Sequence, residues 1–362
     1  MENSTIKNLM RKTKTLFILI SFLFFFLFNL SAASKQCIWT GIEKIVAVGD
    51  IHGDYGNFVR ILRVTKLIDE ELHWIGGRIH LVQTGDVLDR GPDAKNVFDL
   101  IMKLEKEAEE AGGMVHMLIG NHEMINITGL AFDFPGYVSL GQFVSFIPDK
   151  YRERMENEFR KKIGEESLKE MESNSSLDIS LKNYWKQVMK GSRAQKEYTD
   201  NFNEKYGKWI IEHNTVIKIN DTVFVHGGIS EKFSKRKLEN INKDVRTELD
   251  AIRLAEKRSR QIQIRIDTIY PSDGPLWYRE LARSDEDIFK EDVDKILKNL
   301  DAKYMVIAHT PRIGLAVSEE NMSRFQRRIW IIDTVISRYL SGGGNLSALI
   351  IENGEFALWG GK

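Results

Sequence analysis

Cysteine is almost missing. Cys37 is the only one in 362 residues, so no internal disulfide can form and a thiolate cage around a structural zinc is excluded. An excess of charge of one sign is missing too. The 52 Lys and Arg are balanced by 52 Asp and Glu, which leaves no basic field of the kind nucleic-acid binders rely on, and no nucleic-acid partner is expected. Repeats and low-complexity tracts are absent after residue 34, so organisation has to be read from individual strands and helices. With 42% hydrophobic residues the chain can bury a full core, and one domain with a helical insertion is expected.

The N-terminus has its own pattern. Lys7, Arg11, Lys12 and Lys14 precede an apolar block from Leu16 to Leu30, followed by Ser31, Ala32, Ala33 and Ser34, which reads as a secretory signal peptide over residues 1–33. The competing reading is a membrane anchor, since Thr15 to Ala33 reaches the lower limit of roughly 17 to 25 residues for a spanning helix. Asn29 weakens the block and favours cleavage. Removal leaves 48 basic against 51 acidic side chains, a net charge of −3. A periplasmic or secreted location follows, with membrane attachment through the N-terminus as the alternative. Lipidation of Cys37 is disfavoured, because Lys35 and Gln36 stand where small residues belong.

Short Val- and Ile-rich runs bounded by Gly or Asp read as buried strands at Lys44 to Val48, Ile79 to Thr84, Met114 to Ile119, Thr222 to Val225 and Tyr304 to Ala308. Apolar residues at helical spacing occupy Asn57 to Leu67 and Ala94 to Ala111. The repeat from Gly49 through Gly85 to Gly120 has the size of successive β-α-β units and predicts an α/β sheet. From about residue 130 to 215 the chain becomes highly charged and dotted with aromatics. YRERMENEFRKKIGEESLKEMES at 151–173 reads as a solvated helical insertion with no chemical motif of its own. Another helix is expected over Asp285 to Leu300, likewise without a motif.

Every one of the five strands ends on a residue type that binds metal: Asp50 and His52, Asp86 in GDVLDRG, Asn121 and His122 in GNHE, His226 in HGG, and His309 in AHT. Taken singly, a Gly-Asp after a strand is commonly a turn, and a lone histidine is commonly a packed side chain. The conjunction is what argues for a site, because in open α/β sheets ligands bind outside the carboxyl ends of the strands. Carboxylates, imidazoles and an amide without thiolates suit Mn, Fe or Zn. Two metals need a shared ligand, and Asp86, on a central strand, can bridge them. His73, His80, His116 and His213 lie elsewhere and are read as structural.

GDIHG at 49–53, GDVLDRG at 85–91, GNHE at 120–123, HGG at 226–228 and the late His309 resemble the ordered motifs of the PPP-type metallophosphoesterases, the calcineurin-like phosphoesterases. The resemblance spans about residues 44 to 352. GNHEMIN and GPLWYR at 274–279 look more like the bacterial Shewanella-like protein phosphatases than like the eukaryotic serine/threonine enzymes, which leaves the choice between phosphotyrosine and phosphoserine or phosphothreonine open.

The resemblance implies a metallophosphoesterase-type β-sandwich flanked by helices, over residues 38–362. It also implies a dinuclear phosphomonoesterase, with Mn favoured, acting on phosphoproteins or small phosphoesters. Asp50, His52 and Asp86 would hold one metal, and Asp86, Asn121, His226 and His309 the other. The cations would lower the pKa of bound water from 15.7 to about 7, and the bridging hydroxide would attack phosphorus. His122 would be the general acid, oriented by Asp89. Arg90 would clamp phosphate through its planar fork, with Arg279 as a second clamp. Glu123 is read as supporting the ligands, and Asp333 is left unassigned. The alternatives are a nucleotide or dinucleoside polyphosphate hydrolase of the same fold, or a metal-binding module without catalysis.

Overall fold

The computed structural model describes residues 35–173, 175–258 and 265–361. The expected leader, residues 1–33, lies outside them. Among the described residues no helix is long and apolar enough to cross a membrane.

The strands in chain order are β1 (Ile38–Trp39), β2 (Lys44–Val48), β3 (His80–Gln83), β4 (Met114–Met117), β5 (Val216–Ile219), β6 (Thr222–Val225), β7 (Tyr304–Ile307), β8 (Ser323–Arg324), β9 (Ile329–Ile331), β10 (Leu346–Glu352) and β11 (Glu355–Gly361). They form two mixed sheets, one of order β1-β5-β6-β7-β9-β8 and one of order β11-β10-β2-β3-β4. The five strands read from the sequence are divided between them: β2, β3 and β4 pair in parallel in one, and β6 and β7 in the other. Periodicity identifies a strand but carries no information about its partner, and the sandwich implied by the family resemblance is the architecture found.

After Lys44, the run IVAV in β2 is continuously apolar because both of its faces are covered. Ile45 and Ala47 share a core with Val82, Leu118 and, from the β6–β7 sheet, Val223, Phe224, Val306 and Trp330. Val46 and Val48 turn the other way, toward helices α1 (Tyr55–Val64) and α2 (Ala94–Glu110). Those helices bury Phe58, Ile61 and Leu62, and Val97, Ile101, Leu104 and Ala108, the stripe that 3.6-residue periodicity presents to one side. They are the crossovers that keep β2, β3 and β4 parallel.

After β4 come α3 (Asn121–Ile127), α4 (Leu140–Phe146), α5 (Asp149–Ile163), α6 (Glu165–Ser173), α7 (Leu177–Val188) and α8 (Ser192–Phe202). The charges of α5 and α6 stay outside, as expected of a solvated face. The aromatics do not: Phe143, Phe146, Trp185, Tyr198 and Phe202 are buried and continuous with the core beneath α1 and α2. Next come α9 (Leu238–Arg258), whose Val245 and Leu249 join that same core, and α10 (Glu286–Asn299), which sinks Val293, Ile296 and Leu297 into the core shared with the β6–β7 sheet.

Candidate metal centre

Six strands, three from each sheet, point the same way into one end of the sandwich. β2 is followed by Asp50 and His52, β3 by Asp86, β4 by Asn121, β6 by His226, β7 by His309 and β9 by Asp333. The turns that deliver these side chains are backbone-strained. His52, Asp86, Asp89, Arg90 and His309 all have φ between 45 and 71°, a left-handed region that non-glycine residues occupy at a cost and that concentrates at functional sites. Gly85 and Gly120 allow two of the turns to touch. A Cβ on Gly120 would lie 2.3 Å from Asp86 Oδ1 and 2.6 Å from its amide nitrogen.

All six residues expected to bind metal come together here and are buried. His226 donates from Nδ1 to the Thr84 carbonyl at 3.0 Å, which leaves Nε2 as a lone pair. That lone pair faces Asn121 Oδ1 at 2.8 Å, His309 Nδ1 at 3.1 Å and Asp86 Oδ1 at 3.3 Å. His52 likewise donates Nδ1 to the Leu88 carbonyl at 2.8 Å, turning Nε2 to within 3.9 Å of Asp86 Oδ2. Each backbone carbonyl fixes the tautomer that presents an unprotonated nitrogen, as is usual behind metal-binding histidines. Among the described residues, buried Asp50 Oδ1 and His309 Nε2 find no hydrogen-bond partner, whereas buried polar atoms normally do. Acceptors gathered this closely without a proton between them fit a cation.

Electrostatics agree. Burial works to raise Asp86, but His226, His122 and His52 outweigh it and hold the carboxyl well below its ordinary range. Burial, with Asp333 and Asp86 beside it, drives Asp50 well up, and burial lifts Asp333 to about 6. Burial and His122 lower His52 to about 4. Carboxylates crowded away from water are stable as anions only around positive charge. Among the described residues two groups can hold a metal ion, His52 with Asp86 and His122, and Asp86 with His226 and His309; the atoms of each lie within 4.8 Å of one another, and Asp86 belongs to both. Asp50 stands beside them, its Oδ1 3.8 Å from His226 Nδ1.

His122 Nδ1 meets Asp89 Oδ2 at 2.6 Å. Burial opposes charge on this ring, but Asp86 and the Asp89 hydrogen bond prevail and raise its pKa. Nε2 stays free toward Asp86 Oδ2, 3.8 Å away. Arg90 lays its guanidinium 3.9 Å over the ring of Tyr137, and Tyr137 packs against His122 with centroids 4.8 Å apart. Arg279 donates to the His309 carbonyl and to Thr310 Oγ1, so both arginines border the cluster. Glu123 accepts the amides of Asp86, Val87, Leu88 and Gly120 at 2.8 to 3.3 Å, tying two turns together.

The unassigned Asp333 joins the cluster; its place just after β9 repeats the strand-end signal that marks the other ligands. Tyr137, Asn126, Gln142 and Tyr198, which pack around His122 and Asp89, were not read from the sequence. Three of the four come from residues 130–215, the segment read as a helical insertion with no chemical motif of its own.

An end of a sandwich that sets two cation sites on one shared aspartate, with arginines at its border, defines the class of metal-dependent phosphatases. The chain belongs to the calcineurin-like phosphoesterase family, whose model matches residues 43–312. It is similar to Shewanella-like protein phosphatase 1 of Plasmodium berghei, at 29% identity over 84% of this chain and 70% of that protein. Shewanella-like protein phosphatase 2 of Arabidopsis thaliana is 32% identical over 56% of this chain and 51% of that one. Among solved structures, a cold-active protein-tyrosine phosphatase of a psychrophilic Shewanella superposes with a TM-score of 0.62 at 25% identity, covering 90% of this chain and 80% of that one.

Proposed function

We propose that this metal-dependent phosphatase hydrolyses phosphomonoesters on proteins, with Asp50, His52, Asp86, Asn121, His226 and His309 holding two divalent cations, manganese foremost. The observation that carries the proposal is the cluster of facing lone pairs around His226 Nε2. When bound, such cations would supply positive charge against the phosphate oxygens and Lewis acidity toward water.

The chain's own residues do the rest. Arg90 and Arg279 offer planar donors to the phosphate oxygens. Water supplies the oxygen of the new P–O bond. As the ester P–O bond breaks with its electron pair, the leaving oxygen takes the Nε2 proton of His122, held charged by Asp89, and departs as an alcohol or phenol. Water then returns a proton to the ring.

Phosphotyrosine is the substrate we favour, because Phe134, partly exposed, stacks on Tyr137 with centroids 4.9 Å apart and extends the aromatic wall from His122 outward. The superposed relative's designation as a protein-tyrosine phosphatase supports the same reading. A peptide panel comparing phosphotyrosine with phosphoserine and phosphothreonine, with Mn, Fe or Zn and after chelation, tests it. We expect phosphotyrosine to lead and chelation to abolish turnover. Undiminished activity in the chelated protein would refute the metal centre, and faster hydrolysis of nucleotides or dinucleoside polyphosphates would refute the substrate class. From the leader pattern in residues 1–33 we also propose export to the periplasm or beyond, checked by fractionating a bacterium that expresses the full chain.

A further inference from the structure

Asp89 is gripped from the side opposite His122. Its amide donates to Gln142 Oε1 at 2.7 Å, which identifies the other terminal atom of Gln142 as nitrogen. That nitrogen donates to Asp89 Oδ1 at 2.9 Å and to the Tyr198 hydroxyl at 2.8 Å, so both of its hydrogens are used. The Tyr198 hydroxyl is left to donate to Asn126 Oδ1, 2.8 Å away. Asn126 Nδ2 in turn donates to both Asp89 oxygens at 3.1 Å and to the His122 carbonyl at 2.9 Å. One orientation of each amide and one hydroxyl rotor satisfy every member. All four side chains are fully buried, and burial together with the Asp89 charge keeps the Tyr198 phenol protonated. Tyr198 and Gln142 belong to helices α8 and α4 of the inserted segment.

We propose that Gln142 and Tyr198, with Asn126, are positioning residues for proton delivery: they lock the Asp89 carboxylate in place, and through it aim Nε2 of His122 at the leaving oxygen. The inserted helices therefore act on the rate of the reaction and are more than a surface beside the site. A carboxylate holding three side-chain donors at once cannot turn, whereas one bound to the imidazole alone can, and proton transfer in a transition state depends steeply on aim. The proposal rests on the reading of His122 as the proton donor.

The test uses leaving groups. A p-nitrophenolate departs with little help, but an alkoxide needs a proton, so a fault in proton delivery appears selectively on alkyl phosphates. Tyr198→Phe removes the hydroxyl and keeps the ring stacked on Phe143 and Phe202, whose centroids lie 5.8 and 6.2 Å away. Gln142→Leu cuts the chain one bond nearer Asp89. With the metal-loaded protein we expect either variant to lower kcat on an alkyl phosphate by about 10- to 100-fold, with p-nitrophenyl phosphate turnover and both KM values nearly unchanged. Metal content by elemental analysis should stay at the wild-type level. In a His122→Asn background, Tyr198→Phe should cause no further loss, because residues that act as a unit are non-additive. Equal losses on both substrates, lost metal in both variants, or full additivity with His122→Asn would overturn the proposal. Should His122→Asn itself hit both substrates alike, the reading of His122 falls, and the positioning proposal falls with it.

Discussion

Glu123 touches none of the facing lone pairs, yet the site depends on it. Its two oxygens collect four backbone amides, from Asp86, Val87 and Leu88 in one turn and Gly120 in the other, and so set the separation of Asp86 from Asn121. In Glu123→Gln one oxygen survives as an acceptor, but the new NH2 must face amide donors, and a buried donor left against a donor costs about 2 to 3 kcal/mol when the lost partner was charged. We expect the urea midpoint to fall by that equivalent with an unchanged slope, and metal content to fall alongside. A variant that keeps both would show that the ligand turns are held by something other than this carboxylate. The strained turns at Asp86 and Asp89 are the reason such a clamp is needed, since a left-handed aspartate persists only where its surroundings over-determine it.

At the scale of elements, the close approach of the β3 and β4 turns is a constraint that bears directly on the site. In Gly120→Ala the new methyl would overlap Asp86 Oδ1 and the Asp86 amide, both of which belong to rigid backbone or to the shared ligand. Elemental analysis should find about tenfold or greater loss of metal affinity, as when ligand support is removed, with circular dichroism unchanged. Retention of both metals would mean the turn yields without disturbing Asp86. These turns were legible in the sequence because each follows a short, mostly apolar run and opens on a Gly with a metal-binding residue type directly after it. The C-terminal hairpin β10–β11 went unread, although its Asn353-Gly354 turn, with φ of 52 and 83°, carries a known hairpin signal. β10 pairs with β2 some 300 residues earlier, and no local pattern reports a partner that distant. Gln142, Asn126 and Tyr198 were illegible for a related reason. A polar side chain on a helix looks solvent-facing until the carboxylate it binds, here Asp89, is known to be opposite.

The whole molecule is closed by the seam between its sheets, and at one place that seam is ionisable. His80 of β3 and His116 of β4 hydrogen-bond at 3.0 Å, and Trp39 of β1, in the other sheet, packs edge-on against His116 at 4.4 Å. His213 lies near, bound to Glu105 Oε1 at 2.6 Å. Burial lowers His80 to about 4, and burial with His80 and His213 pushes His116 well below its ordinary value. Both rings are therefore neutral in the folded protein, while the unfolded chain takes up protons below about 6.5. Between pH 4 and 6.5 the unfolded state binds more protons, so folding stability rises with pH across that window and levels off above it, by up to about 1.4 kcal/mol per pH unit for each histidine. The site carboxylates Asp50 and Asp333, with raised pKa values, act on stability in the opposite sense, so the informative quantity is a difference. Unfolding free energies of the wild type and of His80→Leu/His116→Leu, measured in parallel from pH 4 to 8 at fixed metal concentration, should diverge as the pH rises to 6.5 in favour of the wild type and run parallel beyond. A difference independent of pH would mean that the two imidazoles take up protons in the fold as they do in the unfolded chain, and that burial at the seam does not hold them neutral.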